Sequence, residues 1–401
     1  MGFSYRYVGN VMATFCMQAL GCEVAAINTV NFSMLQPALT YAVPASTSFT
    51  ILRYSYRLLT EPGNHTGYRQ FKGTRTSPED IKDLYKGLTD SHLVDFDVLL
   101  SGYIPSAEAL HEVSIIARDL KTKHEFMKPG SFFWILDPVM GDQGRLYVSQ
   151  DLVQGYKNVI RGGQERPDLI VPNGFELELI SGIYLSSNDN SDGAVLERRP
   201  TGDNYEATLS KVKEAIQVLH KRDGIKMVVT TSVRVHGKQG TLCVVGSEAR
   251  TDGSARCFVI EVPVLDCYFS GTGDMFAGLM VGRLREACQA AGTLNNHGWA
   301  TNNDETAAPD LPLAKATVKV LSSMGAVLDK TMKAMKQEMD KYQVSKRASL
   351  DARNTHRDDG DEEEETKSWF LARTKAAEVR AVRNARDLIY PGIRFEAVAL
   401  D

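Results

Sequence analysis

Along most of the chain, short apolar runs alternate with longer stretches whose apolar residues recur at helical spacing, the pattern of a β/α protein built on a central sheet. The runs Val24–Asn28, Asp97–Leu100, Phe132–Leu136, Leu169–Val171, Met227–Thr230, Thr241–Val245 and Phe258–Val262 predict strands. Several are apolar at both alternating positions, as strands covered by helices on each face are. Ser101-Gly102-Tyr103, Asp137-Pro138, Pro172-Asn173 and Thr231-Ser232 follow four of these runs directly. In open α/β sheets ligands bind beyond the carboxyl ends of the strands, so these polar residues are the first site candidates. Further on, the apolar spacing over Leu313–Lys341 predicts a long amphipathic helix.

Four stretches interrupt the pattern. Residues 34–63 carry Pro37, Pro44 and Pro62, many Ser and Thr, and Arg53-Tyr-Ser-Tyr-Arg57, with no period, between passages that read smoothly once they are removed. They read as an insertion. Ser186–Tyr205 and Ala291–Asp310 are polar and predict surface loops, and residues 351–366, with Asp361–Glu365, predict a disordered acidic segment. At 401 residues, 43% apolar and 24% charged, the chain is neither disordered overall, collagenous nor a disulfide scaffold. Its formal charge of -4 carries no clustered basic excess, which argues against nucleic acid as a partner. The apolar stretch Val11–Ile27 is interrupted by Gln18 and Glu23, so it predicts neither a membrane span nor a signal peptide. Arg6 stands where a myristoylation start needs Ser or Thr. Six cysteines without a C-x-x-C pair predict buried reduced thiols, and the sequons at Asn31 and Asn64, with no secretory signal before them, predict no glycan.

The richest chemistry lies in Phe269-Ser-Gly-Thr-Gly-Asp-Met-Phe276. Gly271, Thr272 and Gly273 form a tight turn into a helix, and free amides at a helix start, approached closely because glycine has no Cβ, suit a phosphoryl group. Asp274 in that first turn, held ionised by the helix dipole, is placed to take a proton from an attacking alcohol. An ordinary glycine turn with a dipole-compensating Asp is the alternative. Phe276 at the third glycine position disfavours a dinucleotide fingerprint, and no Walker motif occurs. Asp137 and Asp142, in Asp137-Pro-Val-Met-Gly141-Asp142, suit a hydrated Mg²⁺ shared with nucleotide phosphates, or else simply form a turn. Glu176, after Val171-Pro-Asn173, reads as a helix-start acid or an outer-sphere metal partner. Thr231 and Ser232 offer hydroxyls to a phosphate or close a Ser/Thr turn.

Together these passages, with Asn64-His-Thr-Gly-Tyr68 and Ser101-Gly-Tyr103, stand in the order found in pyridoxal kinases of the ribokinase-like superfamily, which the chain resembles over about 7–33 and 64–287. The resemblance implies a single domain over 1–401, a three-layer α/β/α sandwich around a mostly parallel central sheet. It implies transfer of the γ-phosphoryl of ATP to the 5′-hydroxymethyl group of pyridoxal, pyridoxine or pyridoxamine. By matched position Asp274 becomes the catalytic base and Gly271, Thr272 and Gly273 the anion hole. Asp137 and Glu176 would organise Mg²⁺, or another divalent cation, and K⁺. Asp142, Asn173, Thr231 and Ser232 would face ATP, and His65, Thr66 and Tyr103 would line the vitamin pocket. The family also implies a homodimer in the cytoplasm, or in cytoplasm and nucleus, with no membrane partner.

The departures gather near the start. Relatives begin with a strand ending in a Ser-His-Val-type turn before the passage matching Tyr7-Val-Gly-Asn10, and this strand with its substrate-contacting Ser has no counterpart here. The insertion separates Ser33 from Asn64 at the pocket rim. Both features fit a gene model with a missed upstream exon and a translated intron. Val171 stands where Thr is common and the segment after Asp142 is shortened. A hydroxymethylpyrimidine kinase, which shares the Gly-Thr-Gly-Asp turn, and a catalytically impaired ligand-binding homologue are the competing readings.

Overall fold

Short polar side chains mark where strands or loops give way to helices. Ser77 accepts from the Asp80 amide in a capping box, Ser106 from Ala109 and Ser149 from Leu152, each satisfying an amide that the first helical turn leaves unpaired. The computed structural model describes residues 9–33, 72–128, 130–163, 166–185, 205–235, 238–353 and 359–400. It begins with α1 (Asn10–Ala19), the hairpin strands β1 (Val30–Ser33) and β2 (Lys72–Arg75), α2 (Pro78–Asp90), β3 (Val98–Ser101), α3 (Ala107–Met127) and β4 (Phe133–Leu136). A small hairpin, β5 (Gly141–Asp142) with β6 (Arg145–Leu146), precedes α4 (Gln150–Ile160), β7 (Leu169–Ile170), α5 (Gly174–Ser181) and α6 (Tyr205–Asp223). The chain then runs through β8 (Met227–Arg234), β9 (Thr241–Ala249), β10 (Ala255–Pro263), α7 (Thr272–Ala291), α8 (Pro312–Arg353), α9 (Asp359–Ala376), α10 (Ala385–Ile389) and β11 (Val398–Ala399).

The main sheet has the order β11-β10-β9-β8-β7-β4-β3. Strands β3, β4, β7 and β8 run parallel, while β9, β10 and β11 extend the sheet by antiparallel pairing. The parallel half puts the carboxyl ends of four strands on one edge. Alternation along β4 shows the layering: Trp134 and Leu136 join the core with Leu110, Tyr156, Val212 and Val228, whereas Phe133 and Ile135 join Met12, Met280, Leu284 and Val320. All four β4 residues are buried, so helices cover both faces, as the three-layer architecture requires. At the outer edge of the parallel half β3 is less covered, with Val98, Leu99 and Leu100 half-buried.

Three expectations change. Val24–Asn28 is irregular, and the strand starts only at Val30, because its partner β2 spans Lys72–Arg75 and the register pairs Val30 with Arg75. Ala291–Asp310 is no simple surface loop: Trp299 is buried and stacks on Phe133 at 4.3 Å, so one aromatic anchors a polar stretch to the sheet. Within the acidic stretch, residues 359–366 begin α9 and 351–353 end α8; a Glu run has good helix propensity, and α9 docks on α8 through Met335, Ala376 and Ala377. Residues 354–358 lie outside the described residues, as do 34–63 of the insertion.

The ends flanking the insertion are well placed. Ser33 pairs with Lys72 in an antiparallel ladder, so the strands on either side of the insertion form a two-stranded sheet separate from the main one. The six cysteines are unpaired, and no described helix is long and apolar enough to cross a membrane.

Candidate active site

At the start of α7 Gly271 adopts φ 79°, the left-handed region that glycine enters without strain, and caps the helix with no side chain over its first amides. Thr272, Gly273 and Asp274 form the first helical positions, whose N–H groups have no carbonyl partner within the helix. A Cβ added at Gly273 would lie 3.8 Å from Asp137 Oδ2, which places the turn against the carboxyl end of β4. The helix dipole favours the ionised form of Asp274. Burial opposes it and raises the carboxyl above the usual range, countered by hydrogen bonds from the Gly9 amide, at 2.7 Å, and from its own backbone.

After β4 the chain turns through Asp137-Pro138 to Gly141, and Glu176 holds this turn. Its Oε1 accepts from the amides of Met140 at 2.9 Å and Gly141 at 3.3 Å, and its Oε2 from Asn173 at 2.9 Å. Asn173 completes a capping box with Glu176 and donates from Nδ2 to the Gly141 carbonyl at 2.8 Å. Gly141 itself has no room for a side chain, since a Cβ would stand 2.2 Å from the Arg145 carbonyl oxygen. Glu176 is therefore both the helix-start acid and a brace for the Asp137 loop. Asp142 is half-exposed on the β5–β6 hairpin and accepts from the Gln143 amide at 2.8 Å.

The charge here is lopsided. Asp137 is buried, and no described residue donates a hydrogen bond to its carboxylate. Burial, then Glu176 and Asp274, push its carboxyl well up. Glu176 is pushed up to about 7, because burial outweighs its three backbone donors. Such crowded carboxylates fit a cation. Among the described residues no three His, Cys, Asp or Glu side chains form a metal cage.

Thr231 and Ser232 sit in the β8 bulge between Thr230 and Val233, and Thr231 bridges to Asn173. Ser232 is exposed with φ 56°, uncommon for a residue with a side chain and frequent at sites. Tyr103 follows β3, and its carbonyl accepts from Thr29 Oγ1 at 2.7 Å, tying the hairpin base to the site edge. Hydrogen bonds, the strand bridge and charge interactions thus relate Asp137, Asn173, Glu176, Thr231 and Gly271–Asp274, and Asp142 lies close enough to Glu176 to raise its carboxyl. His65 and Thr66 lie outside the described residues. Two residues escaped the sequence reading. Tyr156 is wholly buried on α4, its phenol raised by burial and by Asp137, Glu176 and Tyr103, yet in sequence it sits among Leu152, Val153 and Ile160 like any core aromatic. Gly9 was part of the Tyr7-Val-Gly-Asn10 passage, but only the fold brings it to Asp274.

No family model matches the chain. It is 30% identical to a putative pyridoxal kinase of Schizosaccharomyces pombe over 82% of this chain and 82% of that protein. It is also 30% identical to a putative pyridoxal kinase of Saccharomyces cerevisiae, covering 70% of this chain and 71% of the relative. The pyridoxal kinase of Dictyostelium discoideum matches at 30% identity over 69% of this chain and 74% of its own length. The chain belongs to the pyridoxal kinase family. Solved pyridoxal kinases share its fold: that of Leishmania donovani in complex with ADP and pyridoxamine superposes with a TM-score of 0.66 at 20% identity, covering 99% of this chain and 96% of that one. The Entamoeba histolytica pyridoxal kinase gives 0.61 at 17% identity, over 98% and 95%. The three-layer architecture is thus the pyridoxal kinase fold.

Proposed function

We propose that the chain transfers the γ-phosphoryl group of ATP to the 5′-hydroxymethyl oxygen of pyridoxal, pyridoxine or pyridoxamine. The observation that carries this reading is the apposition of the Gly271–Gly273 turn and Asp137, with Asp274 on the same helix start. Asp274 takes the proton of the hydroxymethyl group as its oxygen attacks the γ-phosphorus. The bond to the β–γ bridging oxygen breaks, ADP leaves, and the amides at the start of α7 hold the phosphoryl oxygens through the transfer. Asp142, Asn173, Thr231 and Ser232 face the nucleotide, and Tyr103 faces the vitamin. Asp137 would hold Mg²⁺, and Glu176 acts through the loop it braces. A divalent cation there neutralises charge on the nucleotide phosphates. The family resemblance supports K⁺ as a second cation and a homodimeric, cytoplasmic enzyme.

The test is direct. The purified chain is incubated with MgATP and pyridoxal, and pyridoxal 5′-phosphate is followed by absorbance. Wild-type protein makes product, and Asp274→Asn lowers kcat by about 10²–10⁴-fold, the usual contribution of general-base catalysis. Pyridoxal binding without product identifies a ligand-binding homologue, and faster turnover of hydroxymethylpyrimidine than of any B6 vitamer identifies the other kinase.

A further inference from the structure

Two helix starts meet at Asp274. One is the first turn of α7, to which Asp274 belongs; the other is α1, capped by Gly9. The Gly9 carbonyl accepts the first helical hydrogen bond of α1 from Ala13 at 3.0 Å, while its amide, outside that ladder, donates to Asp274 Oδ2 across 265 residues. That aim depends on the backbone at φ 56°, ψ -140°, which a residue with a Cβ reaches only under strain. The partner helices are seated by a second glycine: a Cβ at Gly278 would meet the Ala13 backbone at 2.7 Å, so α1 and α7 approach as closely as their backbones allow.

We propose that Gly9 is a positioning residue for phosphoryl transfer: its amide holds one carboxylate oxygen of Asp274, fixes the rotation of the group, and leaves the remaining lone pairs to receive the substrate proton. The inference rests on Asp274 acting as the base. A hydrogen bond to the charged carboxylate also favours the form that can accept a proton, against the burial that opposes it.

A double-mutant cycle tests this. Gly9→Ala turns the amide away and is expected to lower kcat by about 30-fold or more, with KM for MgATP and for pyridoxal changed by less than about 2-fold. In an Asp274→Asn background the same substitution should leave the residual kcat unchanged, because the group it acts through is gone. Gly278→Ala, which displaces α1 through the Ala13 backbone, should repeat both results. Melting curves of each variant show that the comparison is made on folded protein. Wild-type turnover in Gly9→Ala, or an equal fall in both backgrounds, overturns the positioning role. Should Asp274→Asn itself keep wild-type turnover, the base assignment fails whatever Gly9 does; if Asp274→Asn is impaired and Gly9→Ala is not, only the positioning role fails.

Discussion

At the amino ends of the parallel strands Glu248 and Arg256 are buried as a pair, Nη2 to Oε1 at 3.3 Å, whereas at the carboxyl ends Asp137, Glu176 and Asp274 crowd together with no ion pair among the described residues. Register places the first cluster: Glu248 on β9 lies opposite Met227, the first residue of β8, and opposite Arg256 on β10. Glu248 Oε1 also accepts from the Thr301 amide at 2.6 Å, and Arg256 Nη1 donates to the carbonyls of Asn303 at 2.8 Å and Thr306 at 3.2 Å. Nearby Asp168 accepts from the Trp134 amide at 2.9 Å and has Lys121 Nζ at 3.5 Å. Charge at this end is spent on fastening the stretch around Trp299 to the sheet. The other end gathers carboxyl groups with no opposing charge among the described residues, an arrangement that costs stability.

Breaking one partner at each end sharpens the contrast. Arg256→Met leaves the Glu248 carboxylate buried without its cation, and about 3–5 kcal/mol of unfolding free energy should be lost in denaturant titrations, while kcat measured well below the melting point stays near wild type. An equal loss of turnover would show that the paired end reaches the chemistry. Asp137→Asn should do the reverse: the ligand-free protein melts no lower than wild type, and kcat/KM for MgATP falls by about 10–100-fold, as for groups that orient a metal. A gentler effect comes from pH. The Glu176 carboxyl is pushed up to about 7 from an ordinary value near 4.5, so between those values the unfolded chain has released a proton that the folded one keeps. The contribution of Glu176 to ligand-free stability is therefore fullest below about pH 4.5 and declines toward pH 7, a component of the slope that Glu176→Gln should remove in melting curves. A slope unchanged in that variant would remove Glu176 as its source.

Much of the site was legible because its parts are local. The Asn173–Glu176 spacing is a capping box wherever it occurs, and Gly271-Thr-Gly-Asp274 builds its turn and helix start from neighbouring residues. Likewise the all-apolar run Phe133–Leu136 demands cover on both faces. Illegible features depended on distant partners. Val24–Asn28 has strand composition but no ladder opposite it, and Trp299 lies in a polar stretch whose burial depends on Phe133, far away in sequence. The upward shift of the Asp274 carboxyl was illegible for the same reason, since the helix dipole acts locally and burial among distant elements does not.

By itself, then, the sequence determined the β/α alternation, the polar strand ends and the chemical kinds of group at the site, because periodicity, capping and turn chemistry act over a few residues. Only the tertiary structure decided that Asp137 feels the charges of Glu176 and Asp274, that Glu248 and Arg256 neutralise each other at the opposite end, and that the Gly9 amide reaches Asp274. Electrostatic coupling and desolvation depend on distance in space and exclusion of water, and chain order encodes neither until the sheet and its two helical layers have formed.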